Sequence, residues 1–152
     1  MTVSSASILL LAGANPRNRE WLYQLSERLK NHEIESEIFP YLHWDNQSEI
    51  DIETEVYTLK KRIKSLESTI VIAKSAGAII GMNAVLKGAV VDKMVIIGLP
   101  VTYMAEKRIG ANQLINSISV PTLCIQASKD PMGSYHEVYE LCLSQPLIEV
   151  VK

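Results

Sequence analysis

The sequence has few cysteines, no long apolar run and almost no net charge, and each of these absences excludes a class of protein. Two cysteines among 152 residues are too few for a disulfide framework, and they lack the clustered partners that a zinc site requires. No stretch approaches the roughly 20 apolar residues of a membrane span. A formal charge of −2, without a basic run interleaved with aromatics, gives no support for binding to nucleic acid or to an anionic membrane.

The remaining composition is typical of one soluble domain. Hydrophobic residues make up 47% and charged residues 21%, and 152 residues can enclose one sizeable core. Cys124 and Cys142 lie in or near apolar segments, so we expect buried free thiols, which suit a reducing cytoplasm. The amino-terminal MTVSSAS has no positive region before its apolar run, which argues against a signal peptide. We expect a single domain over residues 1–152 in the cytoplasm, with an oligomeric state that the sequence leaves open.

Short apolar runs alternate with amphipathic stretches along the whole chain. Runs that are wholly apolar are typical of strands buried on both faces, and apolar residues three or four apart indicate helices. The predicted strands are Ile8–Ala12, Glu35–Leu42, Thr69–Ala73, Met94–Gly98, Thr122–Ala127 and Leu147–Val151. The predicted helices are Glu20–Lys30, Asp51–Leu66, a small-residue segment ending near Leu86, part of Tyr103–Ser117 with a break at Gly110, and Tyr135–Leu143. This alternation implies right-handed crossovers and a parallel sheet covered by helices on both faces.

The segment Ile70–Val85 contains the clearest chemical signal. A buried strand runs into AKSAG at positions 73–77 and a helix begins at once, which is the layout of a nucleophile elbow. Residues two before and two after Ser75 must be small because the strand and helix backbones nearly touch, and Ala73 and Gly77 meet this need. Such a turn strains the serine backbone and aims helical N–H groups at the reaction centre. The alternative is an ordinary serine N-cap of the helix.

With this elbow the sequence resembles the α/β-hydrolase superfamily over nearly its whole length. The resemblance implies a three-layer α/β sandwich, in which a mostly parallel six-stranded sheet of order 2-1-3-4-5-6 has helices on both faces. The topological switch point then falls between strands one and three, and open α/β sheets bind ligands at the carboxyl ends of strands at such a point. The loops that meet there are residues 13–18 and 74–77.

The resemblance also implies roles for individual residues. Ser75 would be the nucleophile, and Asp130, in the loop after the fifth strand, would be the triad acid that orients an imidazolium. The backbone N–H groups of Ala14 and Ala76 would form the oxyanion hole. The structural alternative for Ala14 is a simple turn at Gly13–Asn15, and the alternative for Asp130 is loop or helix capping.

Three further residues are candidates for substrate binding, namely Asn15, Lys74 and Tyr103. Tyr103 lies between the fourth and fifth strands, where similar hydrolases insert a lid. The segment is short here, so we expect an open pocket and a substrate that is small or presented on a surface. Lys74 either points to solvent or favours an anionic substrate, and plain packing is the alternative for Tyr103.

The catalytic histidine that the resemblance implies is missing from the expected place. Similar hydrolases hold it in the loop after the last strand, and this sequence ends at Lys152. His32 fits a helix end, His43 a loop after the second strand, and His136 lies beyond Asp130, so each is expected to be structural. Two explanations remain, a truncated hydrolase and a non-catalytic relative that binds a ligand in the cleft. We expect truncation.

The function that these patterns predict is a serine hydrolase of esterase type, acting on a small ester or related acyl substrate without a metal or organic cofactor. A flavodoxin-like nucleotide- or phosphate-binding domain shares the alternating pattern and is the alternative from another class. The segment Gly13–Asn18 lacks the second and third glycines that let a pyrophosphate approach, and no Walker A pattern is present. The hydrolase is therefore the preferred interpretation, with no nucleic-acid or membrane partner.

Overall fold

The computed structural model describes residues 5–46 and 48–152, in which six parallel strands form one sheet. The strands are β1 Ser7–Leu11, β2 Glu37–Ile38, β3 Thr69–Lys74, β4 Lys93–Ile97, β5 Thr122–Ile125 and β6 Ile148–Val151. Their order is β2-β1-β3-β4-β5-β6, and all five ladders are parallel, as predicted. The prediction about a signal peptide rests partly on residues 1–4, which lie outside the described residues.

The helices lie between these strands in the described part of the chain. They are α1 Asn18–Asn31, α2 His43–Asn46, α3 Ile52–Lys64, α4 Ala76–Leu86, α5 Val101–Glu106, α6 Ala111–Ser117 and α7 Tyr135–Cys142. Gly110 lies between α5 and α6, where the break was predicted. Helix α2 was not predicted. None of the helices is long and apolar enough to cross a membrane.

The second strand is much shorter than its predicted range Glu35–Leu42. Its pairing with β1 covers Glu37 and Ile38, and the Phe39 N–H still donates to the Leu10 carbonyl at 2.9 Å. Pro40 follows and has no N–H to donate, so the ladder ends there and the chain turns into α2. This early turn brings the residues after Pro40 over the carboxyl end of β1.

The core lies around β1 and α4. Leu9, Leu10 and Leu11 are completely buried because β1 is an interior strand covered on both faces. Helix α4 is buried over most of its length, and its small residues let it approach the sheet closely. A Cβ on Gly77 would lie 2.7 Å from the Ala12 carbonyl oxygen and 2.8 Å from that of Leu11. Glycine is therefore required at position 77.

Both cysteines are buried and unpaired, as predicted. Burial raises the pKa of the Cys124 thiol to about 12 and that of Cys142 to about 11. The thiolate is the reactive form of cysteine, so these side chains are structural and chemically inert at neutral pH.

Candidate active site

Ser75 lies in the turn between β3 and α4 with φ 51° and ψ −118°. A positive φ with this ψ is a strained conformation for a residue with a side chain. The Ser75 side chain makes no capping hydrogen bond to α4, so the N-cap alternative does not explain it. Its backbone N–H donates to the Ile97 carbonyl at 2.9 Å, which ties the turn to the end of β4. The sharp strand-to-helix turn predicted from the sequence is present.

The loop Ala12–Asn15, which we call the β1 loop, lies directly against this turn. A Cβ on Gly13 would be 3.4 Å from the Ser75 Cβ, so the absence of a side chain at residue 13 permits the approach. Within residues 5–46 and 48–152, the backbone N–H groups of Ala14 and Ala76 donate to no protein acceptor. Ala76 is the first residue of α4, where such N–H groups are unpaired by the geometry of the helix. One backbone donor without a partner in the described chain thus directly follows Ser75, and the other directly follows Gly13, the residue that approaches Ser75.

Asp130 follows β5 and lies beside the end of β4. Its Oδ1 accepts from the Met132 N–H at 2.9 Å, which is the loop-capping role left open by the sequence. Its Oδ2 lies 3.4 Å from the place that a Cβ on Gly98 would occupy. Since Gly98 follows directly on Ile97, the acceptor of the Ser75 N–H, Asp130 and Ser75 lie at the same edge of the sheet. The two carboxylate oxygens have different surroundings, so capping leaves Oδ2 available for a second partner.

The three histidines lie at three different helices of the described chain, and of these three only His43 contacts the β1 loop. His32 follows α1 at its C-cap, as predicted. His136 is 79% exposed on α7, with its Nε2 3.5 Å from Glu140 on the same helix. The expectation of a loop position for His43 is wrong, because it begins α2, is 5% exposed and has its Nε2 2.8 Å from the Ala14 carbonyl oxygen. That carbonyl gives the buried ring a hydrogen-bond partner.

A cavity of about 980 Å³ opens beside the β1 loop. Asn15 and Tyr103, two of the three predicted substrate-binding residues, line it together with Ala14. Ser75 is not a lining residue; it lies against Gly13, the residue before Ala14. Lys74 is placed differently, because its Nζ donates to the Asn18 side chain at 2.8 Å and lies 4.9 Å from the Trp21 ring centroid. Lys74 therefore contacts α1, and its role in substrate binding stays a prediction. The other lining residues are Pro16, His43, Trp44, Ser48, Glu49, Ile50, Ile52, Lys107 and Ile109.

The sequence matches no known family model and no curated protein, whereas several solved structures superpose on this chain. A protein assigned as a YdeN-like hydrolase, from Pectobacterium atrosepticum, has a TM-score of 0.74 at 19% identity, over 97% of this chain and 76% of that one. N-formylmaleamic acid deformylase from Pseudomonas putida has a TM-score of 0.72 at 12% identity, over 99% and 84% of the two chains. An esterase from Pyrococcus furiosus has a TM-score of 0.67 at 16% identity, over 97% and 72%. The fold is that of the α/β hydrolases.

Within the α/β-hydrolase fold, the turn at Ser75 and the β1 loop lie at the carboxyl ends of β3 and β1, two neighbouring strands. The order of strands places the topological switch point between them, as the resemblance implied. Among residues 5–46 and 48–152, no three His, Cys, Asp or Glu side chains are grouped as a metal site.

Sequence reasoning missed a group of buried polar residues behind the β1 loop, namely Tyr41, His43 and Glu55. The Tyr41 hydroxyl donates to the Ala12 carbonyl at 2.6 Å, and the Glu55 carboxylate accepts from the Leu42 N–H at 2.8 Å. Burial raises the pKa of Glu55. One signal was available, because Glu55 falls on the apolar face of α3 that Val56 and Leu59 define and is only 1% exposed.

Proposed function

We propose that this protein is a serine hydrolase that cleaves a small ester or related acyl substrate, with Ser75 as its nucleophile. The observation that carries the proposal is the backbone of Ser75, which is held at φ 51° and ψ −118° although its side chain makes no capping hydrogen bond to α4. Such strain is retained where the surrounding structure imposes it and often serves chemistry, and here it presents a hydroxyl at the rim of the sheet. The α/β-hydrolase fold supports the same function.

The geometry fits acyl transfer. The Ser75 Oγ attacks the carbonyl carbon of the substrate, and the negative charge moves to the carbonyl oxygen. The backbone N–H groups of Ala14 and Ala76 stabilise this oxyanion, and the N-terminal end of α4 adds a favourable dipole. The alcohol leaves, and water then hydrolyses the acyl-enzyme and restores the Ser75 hydroxyl. Removal of one oxyanion donor typically lowers kcat by about 10²–10³-fold.

The mechanism also requires a base that accepts the proton of the Ser75 hydroxyl. Asp130 is the proposed acid that would orient an imidazolium, but His32 is at the C-cap of α1, His136 contacts Glu140 on α7, and the Nε2 of His43 is hydrogen-bonded to the Ala14 carbonyl. Among residues 5–46 and 48–152 no imidazole is hydrogen-bonded to the Ser75 side chain, so in this mechanism hydroxide or water takes the proton. We therefore expect the acylation rate of this chain to rise with pH without an inflection near pH 6.5, where histidine titrates.

Chemical rescue tests the proposal directly. Ser75 is only partly buried, so we expect added imidazole to reach its hydroxyl and act as the base. We expect imidazole to accelerate labelling of Ser75 by a fluorophosphonate at least about tenfold, in proportion to its unprotonated form, because general-base catalysis contributes about 10²–10⁴-fold. Intact mass and peptide mapping measure the adduct.

Ser75→Ala is the control for this rescue, since it removes the nucleophile and keeps the turn. It should form no adduct at any imidazole concentration. Absence of a Ser75 adduct in the wild-type chain across pH 6–10, with and without imidazole, would contradict the hydrolase proposal.

The second candidate function is a non-catalytic binding protein of the same fold, and the contacts of the three histidines favour it. In that case a small ester such as ethyl butyrate should bind in the cavity without turnover. Its affinity, measured by calorimetry, should be the same for the wild type and Ser75→Ala.

A further inference from the structure

The β1 loop is held by two side chains from the segment Tyr41–His43. The Tyr41 hydroxyl donates to the Ala12 carbonyl at 2.6 Å, and the His43 Nε2 lies 2.8 Å from the Ala14 carbonyl oxygen. A carbonyl oxygen can only accept, so the Nε2 of His43 carries a proton and donates. Tyr41 and His43 are 1% and 5% exposed, and their rings stack with centroids 5.6 Å apart. The two donors therefore form one buried unit.

These two hydrogen bonds flank the peptide unit that joins Gly13 to Ala14. That unit contains the Ala14 N–H, whereas the carbonyls of Ala12 and Ala14 belong to the peptide units immediately before and after it. Gly13 has no side chain to restrict its backbone, so without these contacts the Gly13–Ala14 peptide could rotate. Fixing its neighbours on both sides determines the direction in which the Ala14 N–H points.

Glu55 fixes the segment that provides both donors. Its carboxylate accepts from the N–H of Leu42, the residue between Tyr41 and His43, at 2.8 Å. Glu55 is 1% exposed, and burial of a carboxyl group is unfavourable unless hydrogen bonds compensate for the lost contact with water. The hydrogen bond from Leu42 provides part of this compensation. This contact from α3 to the backbone of Leu42 therefore fixes the position of the Tyr41 and His43 rings relative to the β1 loop.

We propose that Tyr41 and His43 are positioning residues for the oxyanion hole, with Glu55 as their support. They orient the Ala14 N–H toward the reaction centre before substrate arrives, so that the donor needs no reorganisation when charge develops. This inference rests on the proposed function of Ser75. A positioning role of this kind affects the maximal rate of acylation and leaves the affinity for the reagent unchanged.

Three variants separate the hydrogen bonds from the packing. Tyr41→Phe removes one hydroxyl and keeps the ring, His43→Leu removes the donor to Ala14, and His43→Gln keeps an N–H donor of similar reach. Tyr139→Phe makes the same change as Tyr41→Phe on exposed α7 and is the matched control. Circular dichroism of each variant verifies that it folds.

The kinetic measurement is fluorophosphonate labelling of Ser75 in the presence of imidazole, which yields a maximal rate and a concentration for half-maximal rate. We expect Tyr41→Phe and His43→Leu to lower the maximal rate about tenfold, a fraction of the 10²–10³-fold effect of losing a whole donor. The half-maximal concentration should change less than twofold. His43→Gln should recover most of the rate, and Tyr139→Phe should match the wild type.

A second measurement, independent of catalysis, is the ¹⁵N order parameter of the Ala14 amide in a Ser75→Ala background. We expect a rigid value of about 0.85 with the native side chains and a value below about 0.7 with Tyr41→Phe or His43→Leu. Equal order parameters in all variants would overturn the positioning role even if Ser75 proves unreactive. A change in the half-maximal concentration at constant maximal rate would overturn it as well. If the wild type is not labelled but the Ala14 amide becomes mobile in the variants, the hydrolase proposal is refuted. The conclusion that Tyr41 and His43 hold the β1 loop would then still stand.

Discussion

At the scale of single residues, Ser75 is the most unusual position in the described chain. Its positive φ has no local cause, because neighbouring residues in β3 and α4 are regular and its side chain does not cap the helix. The hydrogen bond from its backbone N–H to the Ile97 carbonyl and the close contact with Gly13 hold it there. The surrounding sheet therefore imposes the strain.

Replacement of Ser75 by glycine should relieve this strain, because glycine adopts positive φ readily. We expect Ser75→Gly to be more stable than Ser75→Ala by about 1–2 kcal/mol, since a strained residue of this kind costs about 1–3 kcal/mol. Both variants lack the hydroxyl, so the comparison isolates the backbone. Urea denaturation measures the difference, and equal midpoints for the two variants would show that the turn is relaxed.

The contrast between Ser75 and His43 shows which parts of the site a sequence can reveal. The turn at Ser75 depends on small residues two positions away in the same short segment, so its signature is local. The hydrogen bond between His43 and Ala14 depends on where the chain turns after Pro40, and no local pattern encodes that direction. Asp130 was predictable as a residue after β5, but the different surroundings of its two oxygens depend on Met132 and Gly98.

At the scale of elements, the contact between β1 and α4 determines how closely the two halves of the site approach. Gly77 allows the first turn of α4 to touch the backbone carbonyls of Leu11 and Ala12. The same approach brings the β1 loop against Ser75. A wider spacing would separate the Ala14 N–H from the serine.

Gly77→Ala should be strongly destabilising, because the new Cβ meets backbone atoms at 2.7 Å and 2.8 Å that have no room to move. We expect a loss of about 3 kcal/mol, the upper part of the usual range for overpacking. Gly110→Ala is the matched control, since its Cβ would meet only the Gln113 side chain at 3.5 Å and its φ is −70°. Thermal unfolding should show a lower Tm for the first variant and a change of less than about 1 kcal/mol for the second. Similar Tm values for the two would show that β1 and α4 can separate without penalty.

Four strands were predicted to within one residue at each end, namely β1, β3, β4 and β6. In the interior strands β1, β3 and β4, burial selects the same apolar residues that form the run. The edge strand β6 has no fully buried residue, and its apolar run alone indicated it. The second strand was overextended, since the apolar residues Tyr41 and Leu42 follow Pro40 although the ladder has ended. Helix α2 is only four residues long, too short to show a period.

At the scale of the whole molecule, a buried carboxyl group and one paired with an arginine should affect stability in opposite directions with pH. Burial raises the pKa of Glu55, and this effect outweighs the hydrogen bond from Leu42 and the nearby His43, which lower it. The Arg62 guanidinium, hydrogen-bonded to Glu37, lowers the pKa of that carboxyl group. The folded protein therefore binds a proton at Glu55 more tightly than the unfolded chain, and one at Glu37 more weakly.

The pH dependence of two glutamine variants tests this difference. The stabilising contribution of Glu55 is complete below its unfolded pKa, near 4.5, and declines as pH rises through its higher folded value, so Glu55→Gln should gain stability relative to the wild type from pH 4 to pH 8. The contribution of Glu37 is present above its unfolded pKa and is lost as pH falls through its lower folded value. Glu37→Gln should therefore lose stability relative to the wild type as pH rises from 3 to 6. Unfolding free energies measured across this range give both trends, and parallel curves for the two variants would contradict the pKa assignments.

The parallel pairing of β1 and β3 also limits how fast the chain folds. Leu9 pairs with Val71 across a stretch that contains α1 and α3, and a parallel pair of this kind cannot form through a tight hairpin. Such distant pairing is slow because the intervening loop must close first. During refolding from denaturant, helical signal should return before Ser75 becomes reactive, since the serine and its oxyanion donors meet only after this late docking step.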